Sequence, residues 1–342
     1  MISRKKIHYP ASEHLRFYLK KFGRISALRP IYSDLRRFSG SLPYESPSGE
    51  QTLWHTVMYP PYEMAELRPK LIEIYVLLKA DGDTKLLRHL EVDRIDFGEF
   101  GNSKPFRIRI VNTYNDNFDH YYVKQADASR IYGLELEHIL SPNRINYLLN
   151  ENTLIEEHIA GIPGDRFIRD YVGLPDINRV RIAKEFVKFN QRCFVRLLGD
   201  MRTVNYIVDI TPDFEETQYR VRPIDFDQQC YEGSRNVYLA QFFEDNQPVV
   251  HLVQSELEPD SIRQYQLEER SLIARRRRVS GRRLQMLFDA MRTEELSPPE
   301  KFANLRQELA DYHGQAASEP ITNARSMGEL VEAHLDIMLA SR

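Results

Sequence analysis

The sequence predicts an α+β protein: a small lobe built on a twisted antiparallel sheet with one helix, then a mainly helical lobe. Three observations predict it. Between residues 91 and 159, short runs rich in β-branched and aromatic residues alternate with turn-forming segments. Across 176–198, apolar residues recur at helical spacing over a stretch too long for a strand. From Gly233 onward the chain reads as helix with long polar stretches.

At 342 residues the chain is long enough for two compact units. Hydrophobic residues at 42% and charged residues at 28% fit a globular protein, neither disordered nor membrane-embedded. A formal net charge of −3 gives no overall pull toward nucleic acid or anionic lipid. Cys193 and Cys230 are too few for a disulfide framework or a zinc site, and are expected as buried thiols in a reducing compartment. The N-terminus is basic without the apolar core of a secretory signal, and no run of about 18 apolar residues offers a membrane span. A cytoplasmic location, with no membrane partner, is the default expectation.

Taken in order, residues 1–90 are expected as an N-terminal helical extension, with helices over 14–22, 27–38 and 63–79. The segment 38–49, rich in Ser, Gly and Pro, reads as a loop, and 84–90 as a short further helix. The small lobe covers 91–158, with strands at 91–97, 106–112 and 120–125, a helix at 127–140, and strands at 145–149 and 153–159. The helical lobe covers 159–342. Its long helix 176–198 is expected to end at Gly199, and a hairpin follows with strands at 205–210 and 218–224.

The strongest chemical signal is the pair of segments Gly-Asp-Met-Arg-Thr-Val-Asn and Pro-Ile-Asp-Phe-Asp. Asp200 and Asn205 are five residues apart on a loop between a helix and a strand, and Asp225 ends the partner strand. Transfer of a phosphoryl group from Mg·ATP needs these residue types: a carboxylate that takes the acceptor's proton, and oxygen ligands that hold the metal. Lys124, near the end of the third strand, is a second signal, with a solvent-facing strand lysine as its plainer reading.

This arrangement resembles the protein-kinase-like superfamily, in feel closest to small-molecule and aminoglycoside-type phosphotransferases. The resemblance covers under half the chain. It implies a two-lobed fold, ATP and Mg²⁺ as cofactors, Asp200 as catalytic base, and Asn205 and Asp225 as metal ligands. It also implies that Lys124 pairs the phosphates and is held by a carboxylate of the following helix, Glu135 or Glu137, with Glu135 favoured. Gly98 and Gly101 would approach the phosphates through their backbone, and the segment of Glu157, His158 and Ile159 would form the adenine-binding hinge. Leu198-Gly199 before Asp200, and Asp227 after Asp225, depart from the eukaryotic protein-kinase pattern. The function implied is Mg-dependent transfer of the ATP γ-phosphoryl group to an unidentified hydroxyl acceptor, on a small molecule or a protein. The alternatives are an inactive nucleotide-binding scaffold and nucleotidyl transfer on the same fold. Arg275 to Arg278 form a basic run whose readings are a solvated helix face or contact with a phosphate-bearing substrate, RNA or an acidic partner.

Overall fold

The alternating runs of the middle segment form the centre of a seven-stranded antiparallel sheet. The structure is a computed structural model that describes residues 6–46, 49, 51–79, 88–212, 217–316 and 319–340. The chain divides into two compact units, Met1–Ala128 with Ile145–His158, and Ser129–Arg144 with Ile159–Arg342. The mixed α+β class expected from sequence is the class observed, with the large sheet in the N-terminal part and helices dominating the C-terminal part.

In the first unit the strands are β1 (Gly40–Glu45), β2 (Gln51–Met58), β3 (Leu90–Gly98), β4 (Phe106–Asn112), β5 (Phe118–Gln125), β6 (Tyr147–Asn150) and β7 (Thr153–Glu157), in the order β1-β2-β3-β4-β5-β7-β6. Alternate residues face one core: Phe106, Ile108 and Ile110 from β4, and Tyr121 and Val123 from β5. A bulge between Val92 and Arg94 shifts the phase of β3, so Val92 and Ile95 both face that core although they are three apart. Helix α3 (Pro61–Lys79) covers this face through Leu67, Leu71, Ile74 and Leu78. Two shorter helices precede it, α1 (Glu13–Lys21), capped by Ser12 Oγ on Leu15 N, and α2 (Tyr32–Leu35). The other face of the sheet carries a charged array. Asp96 is fully buried and accepts from Arg94, Arg107 and Thr56, while the guanidinium carbons of Arg94 and Arg107 lie 4.0 Å from the Tyr44 ring and 4.5 Å from the Trp54 ring.

Two expectations change here. Residues 1–90 are not a helical extension alone: 40–45, read as loop, is β1, and β2 follows it into the sheet. The helix expected over 27–38 is confined to the four residues of α2, because Pro30 breaks the stretch. The short helix read at 84–90 falls mostly on 84–87, outside the described residues, and Leu90 already belongs to β3.

The second unit is helical around a three-stranded sheet. Its helices are α4 (Ala128–Leu140), α5 (Gly164–Asp170), α6 (Arg179–Arg196), α7 (Gln247–Glu256), α8 (Pro259–Val279), α9 (Gly281–Met291), α10 (Pro299–His313), α11 (Pro320–Asn323) and α12 (Met327–Ala340). Strand β9 (Tyr206–Thr211) lies between β8 (Ile162–Pro163) and β10 (Gln218–Pro223). Helix α6 is the axis of the unit: from Phe189 to Arg196 every residue is buried, and α7, α8, α12 and β10 pack around it.

Helix α4 was expected in the small lobe, but from Ser129 it belongs to the helical unit. Its side chains give the reason. Ser129 bonds Leu296 O, Tyr132 donates to Glu294, Glu135 accepts from Arg283 of α9, and Glu137 pairs with Arg196 of α6. Gly133 lets the helix come close to the segment after β10: a Cβ there would stand 3.0 Å from Phe226 Cβ and 3.2 Å from Gln229 Cβ.

Candidate active site

The site starts where α6 ends. Leu197 stops the helix in the left-handed conformation, with φ of 54°, two residues before the expected Gly199. Gly199 serves a different need: a Cβ there would lie 3.1 Å from both Gln228 O and Val237 Cγ1, so the loop runs tightly against those two segments. Asp200 is then left-handed as well, with φ of 59°, and its N–H donates to Val237 O at 3.0 Å. Two non-glycine residues in this region within four positions store strain that the surrounding contacts must sustain, a common mark of functional loops.

Asn205 ties this loop to the end of the β9–β10 pair. Its Nδ2 donates to Asp200 O at 2.7 Å and lies 3.4 Å from Asp200 Oδ2. With Nδ2 assigned to Asp200 by that bonding pattern, Oδ1 is turned the other way. The main-chain oxygen of Asn205 accepts from Ile224 N at 2.9 Å and from Asp225 N at 3.4 Å. The three residues singled out in the two motifs therefore meet at one end of one strand pair.

Asp225 is held from α4. Arg130 Nη1 donates to Asp225 Oδ1 at 2.7 Å and to Asp227 Oδ1 at 2.9 Å, while its Nη2 lies 3.3 Å from Ile224 O. The Arg130 side chain is only 2% exposed, whereas that of Asp225 is 36% exposed and that of Asp227 11%. Asp227 N also donates to Asp225 Oδ1 at 3.1 Å.

Around Asp200 the charges compete. Burial pushes its carboxyl up, the Arg202 guanidinium at 2.8 Å opposes this, and Asp225 and Asp245 add a smaller upward push, leaving it above the ordinary range. Arg202 also stands 5.8 Å from the Phe243 ring. The loop is braced from below by Asp245, which accepts from both Thr203 N and Thr203 Oγ1, and by Asn246, whose Nδ2 reaches Met201 O.

The remaining sequence candidates lie in or beside the first unit. Lys124 on β5 donates to Glu156 of β7 at 2.8 Å. The register pairs Lys124 with Leu154 and Tyr122 with Glu156, so Lys124 and Glu156 share one face of the sheet. Glu156 was not named by sequence reasoning. Glu135, the favoured partner, receives three bonds from Arg283, and Glu137 is engaged by Arg196 and Asn143, all within the second unit. Gly98 ends β3 beneath the Phe100 ring, which a Cβ would meet at 2.5 Å, and Gly101 adopts φ of 72° in the same hairpin. Glu157 Oε1 accepts from Asn146 N at 2.7 Å, and Ile159 is buried at the point where the chain leaves the first unit. His158 Nδ1 and the Tyr122 hydroxyl share a hydrogen bond at 3.2 Å, and burial holds the His158 pKa below the ordinary value. In the basic run, Arg276 reaches Leu140 O, Arg277 pairs with Asp336, and Arg275 and Arg278 face solvent. Cys193 and Cys230 are both buried thiols, and burial pushes Cys193 up to about 12.

Among the described residues, no group of three or more His, Cys, Asp or Glu is placed to hold a metal, and no helix is long and apolar enough to cross a membrane. A divalent ion here would rest on Asn205 Oδ1 and Asp225. That small all-oxygen set fits Mg²⁺, which keeps several waters and takes its other ligands from phosphates.

The sequence matches no protein-family model and no curated protein. Among solved structures it is similar to the autoinhibited serine kinase domain of the giant muscle protein titin. That match has 14% identity and a TM-score of 0.28, over 72% of this chain and 92% of the other. It is similar also to titin kinase with its flanking domains, at 13% identity and a TM-score of 0.28, over 93% of this chain and 60% of that one. Likeness at this level is too slight to bear on the chemistry.

Proposed function

We propose that this protein is a Mg-dependent phosphotransferase that moves the γ-phosphoryl group of ATP to a hydroxyl acceptor. The observation that carries the reading is the side chain of Asn205, bonded to Asp200 while its main chain holds the start of Ile224-Asp225. Asp200 is the base that orients the acceptor hydroxyl and takes its proton. A carboxyl raised above the ordinary range suits that role, since a base is most effective when its pKa approaches the working pH. Asn205 and Asp225 are the residues that would hold Mg²⁺, whose contribution when bound is to neutralise phosphate charge. Arg202 keeps a cation beside Asp200, where it screens the carboxylate from Asp225 and Asp245. In the first unit, Lys124 supplies the phosphate-binding cation and Glu156 fixes its direction. Gly98, Gly101, Glu157 and Ile159 are proposed as backbone contacts to the nucleotide.

The test is calorimetry of Mg·ATP binding, with ADP and phosphate production followed in parallel, on the wild type, Asp225→Asn and Asp200→Asn. The reading expects Mg-dependent binding that Asp225→Asn weakens and Asp200→Asn leaves intact while abolishing turnover. Absence of ATP binding at millimolar concentration would sink it.

A further inference from the structure

Asp225 and Asp227 are two carboxylates two residues apart at a strand end, and the space between their Oδ1 atoms is already bridged by a cation. Arg130 Nη1 sits 2.7 Å from one and 2.9 Å from the other. An arginine keeps its charge at any pH a protein survives. At 2% exposure it cannot turn to solvent without breaking the contact of α4 with the 224–229 segment, a contact that Gly133 makes close. A divalent ion seated on both carboxylates would have to displace this guanidinium and leave it buried without a counter-charge, which is strongly unfavourable. The exposures of the two acids follow the same division: Asp225 is open at 36%, and Asp227 is closed at 11%.

We infer that Arg130 is the resident cation of the Asp225–Asp227 pair and withholds Asp227 from divalent ions, leaving Asp225 as the carboxylate that meets them. This rests on the reading of Asn205 and Asp225 as metal ligands. Arg130 is thus a positioning residue that sets how many ions the strand end accepts. Asp227, two residues beyond the proposed ligand Asp225, is the counter-ion of Arg130.

The experiment is a Mn²⁺ titration of the full chain by electron paramagnetic resonance, reading bound equivalents, with circular dichroism as the check of fold. The wild type is expected to bind one equivalent. Asp225→Asn loses it, whereas Asp227→Asn keeps it with affinity changed by less than about tenfold, the range of a screened neighbouring charge. Arg130→Met gains a second equivalent, and Arg130→Met with Asp227→Asn returns to one. Equal loss in Asp225→Asn and Asp227→Asn overturns the inference while leaving the metal reading in place, as does a folded Arg130→Met that still binds one equivalent. If Arg130→Met does not fold, the comparison of the two aspartate variants decides. If the wild type binds no Mn²⁺, the metal reading falls. Arg130→Met then decides the role of Arg130 alone: one equivalent gained supports it, and none overturns it.

Discussion

Helix α4 makes an ion pair at each end, and the two differ in which partner water can reach. Toward its C-terminus, Glu137 and Arg196 are both sealed, at 0% and 2% side-chain exposure, with Asn143 on the other carboxylate oxygen. Toward its N-terminus, Arg130 is buried to the same degree as Arg196, yet Asp225 stays open. A pair closed on both sides has no remaining face for a ligand and serves to join α4 to α6. A pair closed only on the arginine side holds a carboxylate in place and still presents it. The same chemistry within three helical turns is structural at one end and, in our reading, functional at the other.

The widest separation expected between the two ends is in activity. Asp200→Asn should lower phosphoryl transfer by about 10²–10⁴-fold, the range for removal of a positioned acid or base group, and Asp225→Asn should lower it by weakening the hold on Mg²⁺. Their denaturation midpoints should stay near that of the wild type, since Asn keeps an acceptor for Arg130 at 225 and for Arg202 at 200. The opposite pattern belongs to Glu137→Gln, which leaves Arg196 buried and uncompensated and should cost about 3–5 kcal/mol in urea unfolding. If Asp225→Asn proved as destabilising as Glu137→Gln, the contrast between the ends would disappear. A smaller effect tests the geometry that joins them. Gly133→Ala should cost about 1–3 kcal/mol through overpacking against Phe226, without changing any ionisable group.

Acid should expose a third cluster, a pair of histidines that bond each other. His334 is fully buried, donates from Nε2 to Phe194 O, and receives His313 on Nδ1 at 2.9 Å. Burial first, then mutual repulsion and Arg270, lowers His334 to about 3, and burial and Arg270 lower His313 to about 4. The unfolded chain binds protons at these two positions from the ordinary value of 6.5 downward, and the folded chain does not. Stability is therefore complete above that value and falls as the pH drops through 6.5 toward 4. Glu137, held below its ordinary 4.5 because Arg196 and its hydrogen bonds outweigh burial, adds a loss only at lower pH. Urea midpoints at pH 7, 6 and 5 check the sign, and His334→Gln should flatten the slope. The smallest expected change is kinetic: Arg202→Gln should move the acidic limb of the pH–rate profile upward, because it removes the two interactions that pull Asp200 down.

Much of this was legible in the sequence where a local rule and the fold agree. The strands of the first unit's centre, helix α6 and the β9–β10 hairpin follow periodicity, and the motif spacing brought Asp200, Asn205 and Asp225 forward. Strand β1 escaped because Gly40, Ser41 and Pro43 are poor strand formers, and pairing with His55, Thr56, Val57 and Met58 of β2 overrides that preference. The allegiance of α4 was hidden because the partners of its polar side chains lie tens of residues away. Arg130 looked like any helix arginine, and only its buried contact with Asp225 distinguishes it. Glu156 needed the β5–β7 register, which no single-strand pattern contains.

Helix α4 also governs how the chain can be cut. The backbone passes between the two units at three places, after 128, after 144 and after 158, so no single break separates them. A fragment that begins at 159 would lack the residues that answer Arg196, Arg283 and the Asp225–Asp227 pair, and should be recovered as poorly folded protein. Supplying 129–144 as a separate peptide should restore it, since Arg196, Arg283, Asp225, Asp227 and Glu294 all lie within the fragment. A protease nick after residue 144 would then leave a non-covalent assembly, in which α4 is held to the rest of the helical unit only by its side chains.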